Sequence, residues 1–387
     1  MKSGTPLILS VFTAMMLITG CRNGTGGTGR ERASDWTMFR GEPSLSGYTD
    51  RRLPSDPVLL WEYRHGVRTV ASAIVYKDVT YFCDKHGLLT GIDRDGQEVS
   101  RIDLDAPMEA SFMVLDSVLY FGMIDGDVRA VSLADGSLLW SYQTEGQINA
   151  APALTTVKGH RYLLAGSYDN NMYTIDAETG ALAGSASTGY YINGAAAVWK
   201  EYALFGGCDS WLRMVNSATG VVADSVQLDA YIPSSPAIVD DMAYVADYSG
   251  NVYEISLTGG RFSSCRKLRT AADDEGAMLS MPAVGRKYLY VLADERYIQC
   301  IDRRDGTLIW QQTLKSESGE SSPLICRDRV IASTKSGIIT IYDAGTGERL
   351  WEYETGEQII STPAPLSDRF MIMTARGTLL CFGNKME

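Results

Sequence analysis

The chain has 387 residues, 45% of them hydrophobic and 10% aromatic, with 38 Gly, a composition that supports a sizeable folded core and excludes disordered and collagen-like classes. Asp and Glu number 47 against 35 Lys and Arg, so the formal net charge is -12, and no basic run offsets it locally. A phosphate backbone would be repelled, which excludes nucleic acid as a partner.

Residues 1–20 read as an export signal, with Lys2 as the one positive charge, an apolar run from Leu7 to Ile18, and a small-residue cleavage site ahead of Cys21. Ile18-Thr19-Gly20-Cys21 resembles a bacterial lipobox, and that resemblance implies cleavage before Cys21 and a lipid on its sulfur and amino group. Residues 21–34 are Gly/Thr-rich without an apolar period and predict a flexible tether carrying the lipid anchor. Residues 35–57, opening on DWTMFRGEP, predict a lead-in segment that packs Trp36 and Phe39 onto the domain behind it.

From residue 58 a period near 42 residues organises the chain. Seven turn glycines (Gly96, Gly136, Gly180, Gly220, Gly260, Gly306 and Gly347) each follow a strand ending in Asp93, Ser132, Asp176, Asn216, Ser256, Asp302 or Asp343. Those side chains are expected to cap the turns through backbone N–H groups, rather than to bind calcium, because no EF-hand pattern continues from them. Upstream of each turn lie two short apolar runs, such as DMAYVAD and NVYEISL. Before them comes a small-residue/Pro signature (AAPAL, SSPAI, SMPAV, SSPLI, STPAP). Four strands of five or six residues with short turns use up such a repeat and leave no room for a helix.

The last copy stops after its third strand, at GTLLCFG, whereas LLWEYRHG near the start looks like an orphan fourth strand. Joining 58–63 to the final three strands predicts an all-β, eight-bladed propeller over 58–383, closed by its own N-terminal strand, with a short tail at 384–387.

Trp140, Trp310 and Trp351 stand four residues after their turn glycines, and Trp61 holds the same place in the composite blade, while Ser100, Gly184, Asp224 and Ser264 replace it elsewhere. This repeat resembles the pyrroloquinoline-quinone (PQQ)-type propeller family, and the resemblance implies that each Trp docks on the neighbouring blade. One branch of the family comprises quinoprotein dehydrogenases with long insertions, a vicinal disulfide and a calcium site. The other comprises cofactor-free lipoproteins of outer-membrane β-barrel assembly, and size, signal and lipobox are similar to that branch.

Of the mature cysteines, Cys83, Cys208, Cys265, Cys300, Cys326 and Cys381 are widely spaced without CxxC or adjacent pairs, and are expected as small buried hydrophobes with at most one bridge. Repeat alignment points Arg68, Glu109, Asn149, Asn193 and Glu320 toward the central channel, with Lys85, His86, Arg296, Lys335 and Arg376 as further cations from neighbouring loops. Glu109, Asn149 and Asn193 form the one cluster that could hold a cation. His65, His86 and His160 fall in turns without metal spacing and are expected as surface imidazoles, and the Asp273-Asp274-Glu275 run as a solvated loop. Gln147, Tyr190, Tyr191, Tyr231, Gln358 and the isoleucines Ile192, Ile232, Ile359 and Ile360 lie in the inter-blade loops and are the candidate partner-binding residues.

The sequence therefore predicts a monomeric, non-catalytic scaffold, lipid-anchored to a bacterial membrane, expected to be the outer one, and facing the periplasm or cell surface. Its partners would be envelope proteins, and it needs no cofactor. The alternatives are a PQQ- and calcium-dependent oxidoreductase using the channel, and a binder of extracellular glycans or small ligands.

Overall fold

A computed structural model describes Met1 and residues 35–271 and 278–385. The signal sequence, Cys21, the tether, the 273–275 acidic run and the last two residues of the tail lie outside the described residues.

The short apolar runs form eight four-stranded antiparallel arrays in chain order: 74–103, 113–143, 153–187, 197–227, 237–269, 283–313, 324–354, and 364–383 together with Val58–Arg64, the seventh extended by Tyr48–Thr49 running parallel to Leu324–Cys326. These are the eight blades of an all-β propeller. In each blade the second and third strands are buried on both faces, as in Val118–Gly122 and Asp127–Ser132, because neighbouring blades cover them from both sides. The outermost strand, for example Leu138–Gln143, buries one face only. In the eighth blade Val58–Arg64 supplies that outermost strand, pairing antiparallel with Thr378–Gly383 from Val58↔Gly383 to Arg64↔Thr378. Among the described residues the one helical element is a 3-10 turn, Phe39–Gly41, and no helix is long and apolar enough to cross a membrane.

Every outermost strand carries a β-bulge just before the Trp position, leaving Leu60, Val99, Leu139, Ala183, Ala223, Ser263, Ile309 and Leu350 unpaired. A bulge re-aims the residue that follows it and breaks the flat edge that another chain could pair with. The re-aimed Trp140 and Trp310 lie on Gly180 and Gly347 of the next blade and donate Nε1–H to the carbonyls of Ala177 and Ala344, each at 3.0 Å. Both glycines have positive φ, and an added Cβ would come within 2.8 and 2.5 Å of the indoles. Trp61 bonds the Arg94 carbonyl at 3.0 Å, while Trp351 packs edge-on against Phe370 and Phe382 and stacks on Tyr353.

Where the repeat lacks Trp, other chemistry bridges the blades. Asp224 accepts the Phe262 N–H at 2.8 Å, and Arg266 reaches the Arg303 and Arg304 carbonyls. Gly184 lets the next turn approach so closely that a Cβ would stand 1.9 Å from the Thr219 oxygen. Six of the seven turn acceptors cap backbone N–H groups, as Asp343 does for Gly345 and Thr346. Ser256 departs from the expectation: its blade turns two residues later, at Gly259-Gly260, so Ser256 faces the Ser264 hydroxyl across the strands instead.

The lead-in segment does more than lay two aromatics on the surface. Trp36 pairs with Val75 of blade 1 through both backbone bonds, and the carbonyls of Thr37, Pro43, Ser44, Ser46 and Gly47 accept N–H groups from the innermost strands of blades 2, 4, 5, 6 and 7, each at 2.8 Å. Met38 belongs to the apolar cluster that holds Leu154, Leu163 and Tyr173 of blade 3. In blade 8 the corresponding residue is Pro365, which has no N–H, and Arg51 donates to its carbonyl. Residues 36–51 thus make a circuit of the hub and touch all eight blades. Arg40, fully buried within this circuit, donates to the Ser46 and Pro282 carbonyls, and burial lowers its pKa to about 9 against the opposing charge of Glu42.

The free cysteines divide by depth: Cys83, Cys300, Cys326 and Cys381 are buried, Cys208 is half-buried and Cys265 is exposed, and no bridge joins them among the described residues.

Candidate functional site at the mouth of the hub

The small-residue signature is a latch between blades. Thr362 N–H donates to Ser72 Oγ, Ser72 N–H to Ser111 Oγ and Met281 N–H to Ser322 Oγ, at 2.9, 3.0 and 3.1 Å, each bond crossing from one innermost strand to the next. Blades 3, 4 and 6 carry Ala151, Ala195 and Met281 at that position and have no hydroxyl to offer. A cavity of about 370 Å³ lies along this arc, bounded by the 149–151, 193–195 and 233–235 segments, by Glu109, Glu320, Tyr168 and Leu279, and by Phe39 of the lead-in circuit.

Its lining is rich in acceptors. Asn149 Oδ1, Asn193 Oδ1 and Ser234 Oγ are buried without a hydrogen-bond partner. Asn193 Nδ2 points at Cys208 Sγ, 3.3 Å away, which turns its oxygen the other way. Two carboxylates line the cavity and no Lys or Arg does. The structure therefore brings Glu109, Asn149, Asn193 and Glu320 together, as repeat alignment suggested. It separates Arg68, which lies with Arg64, Gln358 and Arg376 along a different groove. PQQ carries three carboxylates, and a cavity lined by two more with no cation does not fit it.

Around the cavity, inter-blade loops are tied down by one repeated bond. The carbonyls of Gln147, Tyr191 and Tyr231 accept the N–H groups of Tyr168, Cys208 and Tyr248 at 2.9 Å. Fixing the backbone in this way brings side chains together on the loop face. Tyr168 stacks on Tyr191 at 4.8 Å and 9°, Tyr190 leans on Tyr191 at 4.3 Å, and Tyr231 stacks on Tyr248 at 4.3 Å. Tyr190, Tyr191 and Tyr248 are exposed, whereas burial and the hydrogen bond to Tyr248 raise the Tyr231 hydroxyl above its ordinary range. Sequence reasoning missed Tyr168 and Tyr248, although each follows the second strand of its blade, in SYDNN and DYSGN.

Three of the isoleucines expected on this face are instead core. Ile192, Ile232 and Ile359 are fully buried. Ile192 and Ile232, like Ile148, cover the glycine that ends the second strand of the preceding blade: a Cβ on Gly166, Gly206 or Gly122 would lie 2.1–2.5 Å from the isoleucine. Gln147 and Gln358 are exposed. His65 is also a correction. It is no surface imidazole but bonds Asp84 through Nε2 at 2.7 Å, with both side chains at least 95% buried. Burial alone would raise the Asp84 carboxyl. The His65 hydrogen bond and the N–H groups of Leu88 and His86 outweigh that and hold it below the usual range.

Eight repeat-built blades, an acceptor-lined hub and a tyrosine-rich loop face define a propeller of the PQQ-like class. A profile described as "Outer membrane protein assembly factor BamB" matches residues 85–280 and 266–383, and the chain belongs to that family. It is 22% identical over 316 residues to the outer membrane protein assembly factor BamB of Shewanella oneidensis, covering 81% of this chain and 71% of that protein. In fold it is similar to the crystal structure of BamB from Moraxella catarrhalis, with a TM-score of 0.71 and 15% identity over 86% of this chain and 98% of that one. The quinohemoprotein alcohol dehydrogenase of Comamonas testosteroni shares the fold as well, with a TM-score of 0.71 and 14% identity over 92% of this chain and 81% of that one.

Proposed function

We infer that this propeller is a non-catalytic scaffold of outer-membrane protein assembly, lipid-anchored through Cys21, outward of the cytoplasm, and that it docks envelope proteins through its loop face. The observation that carries the reading is the paired tyrosine stack. Tyr168, Tyr190, Tyr191, Tyr231 and Tyr248 form an aromatic surface held in place by backbone bonds. Such rings bury much area on binding at little rotamer cost. Family membership supports the assembly role.

An oxidoreductase reading has the dehydrogenase fold neighbours behind it, but the donor set of the hub argues against a quinone. Crosslinking in intact envelopes tests the proposal. Specific crosslinks to outer-membrane assembly components are expected from the parent chain and should vanish when Tyr191 and Tyr231 are both changed to Ala. Crosslinks that survive the double change would refute the assignment of this face. Radiolabelled palmitate incorporated in the parent but not in Cys21→Ala tests the anchor.

A further inference from the structure

The hub cavity has its own chemistry, beside the tyrosine face and sharing Tyr168 with it. We propose that it is a binding site for a primary ammonium group, supplied by a small free amine or by a lysine side chain. Two carboxylates, Glu109 and Glu320, reach it from blades 2 and 7. Asn149, Asn193 and Ser234 line it too; their Oδ1 and Oγ atoms carry almost no accessible surface and no hydrogen-bond partner, so they turn to a ligand only as the side chains rotate. An ammonium group brings three donors, no acceptor and a positive charge, which complements that set.

Other occupants fit less well. Among the described residues no group of three or more His, Cys, Asp or Glu could hold a metal ion, and about 370 Å³ is far more than a bare ion needs. An anion would meet carboxylates with no Lys or Arg among the lining residues. A neutral polyol could satisfy the three acceptors but would leave both carboxylates without a counter-charge. Tyr168 adds an aromatic wall of the kind that attracts ammonium ions. Ala151 and Ala195, which carry no latch hydroxyl, are among its lining residues.

Isothermal titration of the full-length protein with 1,5-diaminopentane, and separately with a short peptide bearing one lysine, tests the site. Saturable one-to-one binding of at least one probe is expected, weakened about tenfold in Glu109→Gln/Glu320→Gln. It should be weakened further by Ala151→Leu, whose longer side chain narrows the space. Binding of the diamine identifies a free amine as the source, and binding of the peptide alone identifies a side chain; both support the site. No binding of either probe, or affinities unchanged in the variants, would overturn it. Should Ala151→Leu not fold, the Glu→Gln pair decides, since both residues are exposed. The site is tested apart from the docking reading: Tyr231→Ala, whose ring is not in the cavity lining, should weaken crosslinks yet keep amine binding.

Discussion

Removing both hydrogen-bond donors that converge on one buried carbonyl tests the account of how the blades are held together. The Ala177 oxygen accepts from Trp140 Nε1 at 3.0 Å and from the Tyr120 hydroxyl at 3.3 Å, and all three residues are less than 10% exposed. Tyr120→Phe removes one donor while the other stays, so it should cost about 1 kcal/mol. Trp140→Phe loses the second donor and some ring volume, for about 2 kcal/mol. In the double variant the carbonyl has no donor left. Its cost should exceed the sum of the singles by about 1–2 kcal/mol, the penalty of an orphaned buried acceptor. Urea unfolding midpoints at constant slope provide the cycle. Additivity within about 0.3 kcal/mol would show that the shared carbonyl is not what the two side chains stabilise.

Gly184→Val should unfold or strongly destabilise the domain, because its Cβ would meet the Thr219 carbonyl at 1.9 Å and backbone cannot yield as a side chain can; a melting temperature within about 2 °C of the parent would contradict that contact. The Asp84 carboxyl is held below its ordinary value, so its contribution is present above the unfolded carboxylate pKa of about 3.9 and is lost as pH falls through the lower folded value. Asp84→Asn should therefore melt below the parent at pH 7, with the gap closing as pH falls below the unfolded carboxylate value. A gap independent of pH would refute the ionic role. Arg51→Ala leaves the Pro365 carbonyl without its donor and opens the lead-in circuit at blade 8, so amide exchange should rise in 36–51 before the blades themselves loosen. Uniform exchange across the domain would contradict a separate circuit.

Much of this architecture was legible because propeller repeats write their geometry into side chains. Turn glycines, capping acids and the small-Pro strand recur with the blade, and hub positions fall out of alignment, which is how Glu109, Asn149, Asn193 and Glu320 were placed together. The lead-in circuit was not legible, since it bonds through main-chain carbonyls that any residue carries. Nor could loop composition tell which of two neighbours points outward. In Tyr191-Ile192 and Tyr231-Ile232 the aromatic faces out and the isoleucine fills the hollow over a glycine. The matching spacing of Gly122, Gly166 and Gly206 to Ile148, Ile192 and Ile232 was the signal available for that distinction. His65 looked like a turn residue because its partner, Asp84, lies in the next blade, a contact that exists only once the ring has formed.

The measurement closest to the central claim is the level of folded outer-membrane β-barrels in cells whose only copy of this gene carries Tyr191→Ala and Tyr231→Ala. The account predicts that barrel levels fall as they do when the gene is deleted, while the variant protein itself accumulates to the parent amount. Barrel levels equal to the parent's, in the variant and in the deletion alike, would contradict it.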